Sequence, residues 1–245
     1  MNSKRQLFRQ YYMQSFTIDK IILPELKFRH FRFQLFSKNI LFLRLADNIT
    51  HPSQLREKFI RYIPLNAYFT PVKWLSPIYV SHSKDELDVM LSSPLFFDID
   101  MDDLDPPTFS EARRDTILLI ESLRNEYGRD PDLTVFSGKQ GFHVYFWDWD
   151  NYDILRLHPR ERLIEFKKRR TKILKMLKKR KIVVDEQITT DPFRIMKIPN
   201  SLHGKTGMIA KRVDDPITFD VIKEALAFDR ETYDRVFELN WKIYE

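Results

Sequence analysis

The chain has 245 residues, of which 43% are hydrophobic and 31% charged, so it is long enough for one large domain or two small ones. This balance excludes a disordered chain, and no apolar run approaches the ~20 residues that a membrane-spanning helix needs. The sequence contains no cysteine, which excludes disulfides, thiol catalysis and metal sites built on thiolates.

Hydrophobic periodicity predicts helices and strands that alternate along the chain, with hairpin turns between some of the strands. The predicted helices cover about 7–12, 53–62 (capped by Ser53), 111–127 (ended by Gly128), a basic helix at 160–181 within a segment of about 154–181, and a helical tail over about 217–245. The predicted strands cover 31–35 and 40–45, which form a hairpin, and then 95–101, 133–136, 142–147, 182–184 and 208–213. This mixture favours a mixed α/β (α+β) fold over a purely parallel sheet, and we expect one domain over 1–245.

Positive charge is concentrated in one segment. The whole chain has 41 Lys and Arg against 35 Asp and Glu, a net charge of +6. Residues 160–181 hold twelve basic and two acidic residues, a net of +10, so the remaining chain sums to −4. Such a segment suits a polyanion, because each cation that meets a phosphate releases condensed counterions, although a solvated helix face is the alternative. The candidate nucleic-acid contacts are Lys167, Lys168, Arg169, Arg170, Lys172 and Lys175.

Glycine is scarce, and four of the five glycines lie in two short segments, 137–143 (Ser-Gly-Lys-Gln-Gly-Phe-His) and 203–207 (His-Gly-Lys-Thr-Gly). Glycine in such a chain marks tight turns or close approach to a ligand, and the backbone amides of such loops hold anions. Neither segment matches a Walker A loop, which disfavours P-loop ATPase machinery. The side chains that accompany these loops, and that we take as candidates for binding a triphosphate, are Ser137, Lys139, His143, Lys197, His203 and Lys205.

Asp98 and Asp100 lie two residues apart on a predicted buried strand, so their side chains leave the same face. Two such carboxylates repel each other unless they are protonated or bridged by a cation, and hard oxygen ligands favour Mg²⁺ or Mn²⁺. Asp185 follows the predicted strand 182–184 and is placed to bring a third carboxylate to the same edge. Aspartates that hold two metal ions are a recurring solution for nucleotidyl transfer, whereas the alternative is a strand end whose acids face water.

Three motifs in this order resemble the catalytic (small) subunit of archaeo-eukaryotic DNA primase, and its archaeal form more closely. They are residues 96–103 (Phe-Phe-Asp-Ile-Asp-Met-Asp-Asp), 137–143, and 185–207, which runs from Asp185 to Gly207. A looser similarity to the N-terminal hairpin of the family precedes them at 11–12, 29–33 and 43–44. The resemblance therefore covers about residues 5 to 213.

The resemblance implies a mixed α/β catalytic core whose two halves meet at an acidic cleft, and primer synthesis from nucleoside triphosphates on a single-stranded DNA template. It places the metal-binding and catalytic carboxylates at Asp98, Asp100 and Asp185, with two Mg²⁺ or Mn²⁺ ions as cofactor. It implies a heterodimer with a large primase subunit and no membrane partner. Residues 1–9 are basic without an apolar segment behind them, so we expect no secretory signal and a cytoplasmic protein. The positions that grip the incoming nucleotide in the family fall on Arg44, Ser137, His143, Lys197 and His203.

The sequence departs from the family pattern in three places. Family members generally carry a cysteine-based zinc motif between the first two motifs. This sequence contains no cysteine, so that motif is missing and no zinc is expected here. Lys139-Gln140 stands where a basic pair is common, and His30 stands where an acid is expected. Two alternatives stay open: a primase-like polymerase of DNA end-joining repair, which extends existing ends, and a non-catalytic nucleic-acid-binding subunit with a relic site.

Overall fold

The computed structural model describes residues 3–18, 23–79, 90–100, 109–150 and 156–237. The helices in these ranges are α1 (Lys4–Gln14), α2 (Pro52–Tyr62), α3 (Ser110–Tyr127), α4 (Pro159–Lys179), α5 (Glu186–Thr190), α6 (Val221–Glu224) and α7 (Arg230–Val236). The strands are β1 (Phe31–Leu35), β2 (Leu41–Arg44), β3 (Asn66–Phe69), β4 (Lys73–Trp74), β5 (Met90–Asp100), β6 (Leu133–Phe136), β7 (Gly141–Asp150) and β8 (Met196–Lys197).

The first sheet has the strand order β2-β1-β3-β8 and its pairs are antiparallel. Alternation along β1 decides which side chains enter the core, because successive residues of a strand point to opposite faces. Phe31 and Phe33 are buried and pair across the sheet with Phe69 and Ala67, which are also buried. This face therefore packs into the hydrophobic core, as the predicted hairpin pattern implies.

The opposite face of the first sheet carries polar side chains in one row across the four strands. Each member of this row lies directly opposite the next in the register, from β2 through β1 and β3 to β8. Side chains opposite each other on one face are neighbours, so the row crosses the sheet as a continuous strip. We call it the polar row; its members are Arg44, Arg32, Tyr68 and Lys197.

The second sheet has the order β4-β5-β7-β6, again with antiparallel pairs. Asp98 lies opposite His143 and Asp100 lies opposite Gly141, which brings the first and second motifs together at one sheet edge. A Cβ atom at Gly141 would lie 2.0 Å from the carbonyl oxygen of Ile99, so a larger residue would push β5 and β7 apart. Glycine is therefore required where the first glycine loop enters β7.

The chain that follows β8 connects the two sheets. The Ile198 N–H donates to the carbonyl oxygen of Ala67 in β3 at 2.9 Å, and the Phe136 N–H of β6 donates to that of Lys211 at 2.8 Å. Residues 198–211 thus run from the edge of the first sheet to the edge of the second. The second glycine loop, 203–207, lies within this connection, which explains how two loops far apart in sequence reach one place.

The mixed α/β fold class is confirmed, and several predicted elements match closely: β6 has the predicted bounds, and Gly128 ends α3 with a φ of 65°. Other details differ. His51 rather than Ser53 caps α2, α4 ends at Lys179, and the tail is two short helices up to residue 237. Residues 101–103 of the first motif and 238–245 of the tail lie outside the described residues, so the prediction of one domain over 1–245 stays a prediction.

Two predicted strands are wrong. Residues 182–184 are not a strand, and residues 208–213 make only isolated bridges, from Ile209 to Leu202 and from Arg212 to Val135. None of the helices that the structure describes is both long and apolar enough to span a bilayer.

Candidate active site

A cavity of about 240 Å³ opens where the two sheets and the two glycine loops meet; we call it the cleft. It is lined by side chains from β3, β5, β7 and β8, from both glycine loops, and by Ile188 of α5. The first sheet contributes the inner end of the polar row, and the second sheet contributes the carboxylates. The predicted site residues that line the cleft are Asp98, Asp100, Ser137, Lys139, His143, Lys197 and His203.

Asp185 reaches the edge of the cleft through its backbone. Its N–H donates a hydrogen bond of 2.9 Å to the carbonyl oxygen of Asp98, so the third predicted carboxylate is held beside the first. The Asp185 side chain caps α5, because its Oδ1 accepts the backbone N–H groups of Gln187 at 2.8 Å and Ile188 at 3.0 Å. The Oδ2 atom of this exposed carboxylate accepts no hydrogen bond from the described residues.

The carboxylates of the cleft resist ionisation. Burial raises the pKa of Asp98 to about 7, and the negative charge of Asp185 adds to that rise. Burial and the charge of Asp98 also raise the pKa of Asp100, while Lys139 and His143 oppose the shift. Mutual repulsion in a partly buried site is the situation that a divalent cation relieves.

The chemistry of this donor set fits a hard divalent ion. The acidic donors at this edge are carboxylates, and oxygen-only sites of that kind suit Mg²⁺ or Mn²⁺. Among the described residues, no group of three or more His, Asp or Glu side chains is yet close enough to hold an ion. An ion held by Asp98, Asp100 and Asp185 would therefore complete its coordination with water or substrate oxygens, as Mg²⁺ commonly does at nucleotide sites.

His143 lies deep in the cleft, beside Asp98. Its Nε2 is 3.5 Å from Oδ1 of Asp98, and its Nδ1 is 3.5 Å from the hydroxyl of Tyr145. Burial lowers the pKa of His143 to about 4, although the charge of Asp100 opposes this shift. The ring is therefore neutral near pH 7, and it contacts Asp98 as a polar neighbour rather than as the cation of an ion pair.

The first glycine loop closes on itself through the Ser137 N–H, which donates to the Gly141 carbonyl oxygen at 2.8 Å. Ser137 Oγ in turn accepts the Gly141 N–H at 3.3 Å. Gln140, which stands where a basic residue is common in the family, is buried, and its side chain hydrogen-bonds to Asp100 and holds the pKa of that carboxyl down. Gln140 thus supports a carboxylate, while Lys139 is the cation that this loop presents to the cleft.

Lys197 is held in the cleft by a residue that the sequence did not reveal. Its Nζ donates to Oδ1 of Asn66, and it lies 5.4 Å from the centre of the Tyr68 ring. Burial lowers the pKa of Lys197 well below its usual value. The Oδ1 atom of Asn66 also accepts the Gly204 N–H at 2.8 Å, so one amide oxygen joins Lys197 to the second glycine loop.

His203 has a defined tautomer. Its Nδ1 accepts the backbone N–H of Lys205 at 3.3 Å, and its pKa is lowered well below the usual value by burial and by Lys197 and Lys139. A neutral ring whose Nδ1 accepts a hydrogen bond carries its proton on Nε2. His203 can therefore donate one hydrogen bond to an anion in the cleft without carrying a charge.

Two predicted nucleotide-binding residues do not line the cleft. Lys205 lies in the middle of the second loop but is exposed and does not line the cleft. Arg44 is exposed at the outer end of the polar row, three strands from Lys197, which corresponds to about 14 Å at ordinary strand spacing. Both remain predictions, and a bound nucleotide would have to extend along the polar row to reach Arg44.

The predicted basic helix exists as α4, but one of its six candidate contacts is wrong. Arg170 is fully buried; its guanidinium pairs with Asp150 at 2.5 Å and donates to the Pro94 carbonyl oxygen at 3.0 Å. It fixes α4 onto β5 and β7 and is not accessible to nucleic acid. Arg169 is partly engaged, at 3.1 Å from Asp150 and 3.0 Å from Glu165. The other four candidates are exposed: Lys167, Lys168, Lys172 and Lys175.

Comparisons with known proteins agree with this geometry. The profile of the family described as DNA primase small subunit matches residues 97–215, which include the carboxylates and both glycine loops. The DNA primase small subunit of Pyrobaculum calidifontis is 28% identical, covering 83% of this chain and 75% of that protein. The corresponding protein of Saccharolobus solfataricus is 26% identical, covering 89% and 78%, and that of Archaeoglobus fulgidus is 26% identical, covering 93% and 84%.

A solved structure supports the fold independently of sequence. The polymerase domain of Mycobacterium tuberculosis ligase D, determined in complex with DNA, superposes with a TM-score of 0.55. The overlap covers 88% of this chain and 84% of that domain, at 14% identity. The chain therefore shares the fold of that polymerase domain. Taken with the ordered motifs, the family profile and the archaeal relatives show that this chain is similar to archaeal DNA primase small subunits.

Proposed function

We propose that this chain catalyses DNA-directed primer synthesis, joining nucleoside triphosphates on a single-stranded DNA template. The observation that carries the proposal is the meeting of Asp98 and Asp100 with both glycine loops in one cleft. In the reaction, a 3′ hydroxyl attacks the α-phosphorus of a nucleoside triphosphate, a phosphodiester forms, and pyrophosphate leaves. The chemistry of this cleft serves both needs of that reaction, since carboxylates suit a metal ion and the loops suit phosphates.

The carboxylates would hold the divalent ions of a two-metal reaction. When bound, Mg²⁺ or Mn²⁺ would activate the attacking hydroxyl and neutralise the leaving pyrophosphate. Asp98 and Asp100 extend from one strand, and Asp185 is tied to that strand by its backbone hydrogen bond to Asp98. This arrangement supports a shared metal site, because the main chain of Asp185 is held beside Asp98 at the end of the same strand.

The loop side chains would hold the triphosphate. Lys139 and Lys197 supply positive charge, Ser137 supplies a hydroxyl, and His203 supplies a neutral N–H donor. The low pKa of Lys197 arises from burial, and a bound phosphate would reverse that shift by stabilising the ammonium. The cleft is therefore suited to an anion that brings several negative charges at once.

The archaeal relatives are named as small subunits, and we infer that this chain likewise acts with a large primase subunit. A single-stranded DNA template and nucleoside triphosphates complete the set of partners.

Synthesis on circular single-stranded DNA tests the proposal and separates it from the two alternatives. The wild-type chain is assayed with and without Mn²⁺, in parallel on a primed template. The test variant is D98N/D100N, and the control is E57Q/E121Q, which removes the same charge from exposed acids that do not line the cleft.

We expect metal-dependent products without a primer from the wild type and from the control, and a loss of at least about 100-fold in D98N/D100N. Extension of the primed template alone would favour the end-joining polymerase. Equal incorporation by D98N/D100N, or none by the wild type on either template, would contradict a metal-dependent enzyme.

A further inference from the structure

A second cavity, of about 380 Å³, lies between α4 and α5, and the residues that line it include Glu186 and Gln187, which directly follow the Asp185 cap. One wall is the face of α4 that presents Lys167, Thr171, Lys175 and Lys178, residues whose spacing places them on one side of a helix. The other wall is α5, with Glu186, Gln187 and Thr190. We call this the lysine groove. Leu174 is the only apolar residue among those that line it, and the other lining side chains carry charged or polar groups on aliphatic stems.

The ammonium groups of the lysine groove are available to a ligand. Lys167, Lys175 and Lys178 are exposed, and none of them lies within ion-pair distance of a carboxylate of the described residues, Glu186 included. The arginines of the same helix differ, since Arg169 and Arg170 are engaged by Asp150. Lys167, Lys175 and Lys178 therefore form a line of positive charges along the groove that an anion can contact.

The position of the lysine groove relates it to the cleft. The α5 wall begins immediately after Asp185, whose side chain caps that helix through the Gln187 N–H. From Lys167 to Lys178 the helix rises about 16 Å, which is the length of several nucleotides along a strand. A strand lying in the groove would thus run past the end of α5 that carries the third carboxylate.

We propose that the lysine groove binds the sugar-phosphate backbone of single-stranded DNA next to the catalytic carboxylates; that the strand is the template rests on the proposed function. Ammonium groups on flexible stems suit phosphates as point charges, and the side-chain amide of Gln187 offers N–H donors to a phosphate or sugar oxygen. The hydroxyls of Thr171 and Thr190 donate to carbonyl oxygens of their own helices and can only accept from a ligand. Such contacts position a strand without reading its sequence. A membrane surface fits poorly, because the groove is concave and has one apolar side chain.

The same basic segment supplies a matched control. The groove variant is K167Q/K175Q/K178Q, and the control is R160Q/K179Q/K181Q, which removes three exposed basic residues of the same 160–181 segment that do not line the groove and are not among the candidate contacts. Both variants lose the same charge from solvent-exposed positions, and equal thermal midpoints would show that both remain folded. Affinity for a fluorescent single-stranded oligonucleotide is measured by anisotropy over a range of salt concentrations, without metal or nucleotide.

We expect the groove variant to lose at least tenfold in affinity at about 0.1 M salt. Its slope of log K against log salt should fall by about 2, since each lost single-strand contact removes about 0.7. The control should change less than threefold. Equal losses in the two variants would overturn the proposal, because they would show that the charge of this basic segment acts without a groove; so would unchanged affinity in the groove variant.

This binding test is independent of catalysis. D98N/D100N should retain full oligonucleotide affinity while losing synthesis. A failure of the wild-type chain to synthesise primers would contradict the proposed function without affecting the measured role of the groove in DNA binding. Unchanged affinity in the groove variant would contradict the groove without affecting the synthesis assay.

Discussion

The backbone N–H of Asp185 donates a hydrogen bond of 2.9 Å to the carbonyl oxygen of Asp98. This bond joins the end of a central strand to a loop from a distant part of the sequence, and it does so through the main chain. The side chains of both residues are consequently left to serve other partners. The fold itself thus holds the main chain of Asp185 beside Asp98.

Asp115 supports that position from the other side. It is fully buried on α3, and its Oδ2 accepts the N–H of Val183, two residues before Asp185, at 3.0 Å. We predict that D115A destabilises the protein by about 1–3 kcal/mol, because it leaves a partly buried N–H without its acceptor. We also predict a several-fold rise in the Mn²⁺ concentration needed for half-maximal incorporation, measured well below the unfolding midpoint. D115N keeps an oxygen acceptor and should recover most of the activity. If D115A needed the same Mn²⁺ concentration as the wild type, Asp115 would have no role in positioning Asp185.

The raised pKa of Asp98 predicts a pH-dependent cost to folding. The carboxyl titrates at about 7 in the folded chain and near 3.8 when unfolded, so the native state binds the proton more tightly in between. Its contribution to stability therefore falls as pH rises from about 4 to 7 and is constant above. D98N lacks this loss, and we expect it to be more stable than the wild type at pH 8 by about 1–3 kcal/mol in the absence of metal.

Urea unfolding of both proteins at pH 5 and pH 8 measures this difference. The low pKa of His143 acts with the opposite sign, since its stability contribution is lost as pH falls from 6.5 towards 4. The wild type and D98N share that histidine, so the difference between them reports chiefly on Asp98. A difference in unfolding free energy that does not grow with pH would contradict the prediction.

The buried ion pair of Arg170 and Asp150 predicts a large effect on stability. Truncation in R170A would leave the Asp150 carboxylate buried without its main partner, and we expect a loss of about 3–5 kcal/mol. The double variant R170M/D150N removes both charges and should recover much of the loss. Denaturant unfolding makes the comparison, and a loss below about 1 kcal/mol in R170A would show that α4 does not depend on this pair.

Asn66 predicts a defect in substrate binding. Its Oδ1 accepts hydrogen bonds from Lys197 and from the Gly204 N–H, so N66A would release a cation and a loop together. We expect KM for the nucleoside triphosphate to rise about tenfold, equivalent to about 1.4 kcal/mol, with a smaller change in kcat. The control Q34A removes only the partner of the Asn66 amide nitrogen, at 2.7 Å. An unchanged KM in N66A would show that Asn66 does not contribute to nucleotide binding.

The sequence predicted the parts of the fold that local patterns determine. The alternation of Phe31, Arg32 and Phe33 identified the two faces of β1, and Gly128 marked the end of α3. The apolar run at 182–184 predicted a strand that is not there, because the Val183 N–H donates to the Asp115 side chain rather than to a neighbouring strand. Local composition does not distinguish an extended segment held by a side chain from one held by a sheet.

The candidate site shows the same division. Asp98, Asp100 and the glycine loops were identifiable because each lies in a short motif. Asn66 and Tyr68 were missed, since their place in the site depends on strand pairing across the first sheet. The misassignment of Arg170 was avoidable: it lies four residues after Phe166 and seven before Leu177, within the apolar stripe of the helix, a signal that charge counting overlooks.

The central claim is that Asp98, Asp100 and Asp185 together hold divalent ions, and Mn²⁺ binding measured by electron paramagnetic resonance tests it most directly. The titration uses the folded chain with single-stranded DNA and a non-hydrolysable nucleoside triphosphate. We predict that D98N, D100N and D185N each weaken Mn²⁺ binding at least tenfold, while E57Q/E121Q does not. Binding by D185N that equals the wild type would contradict it.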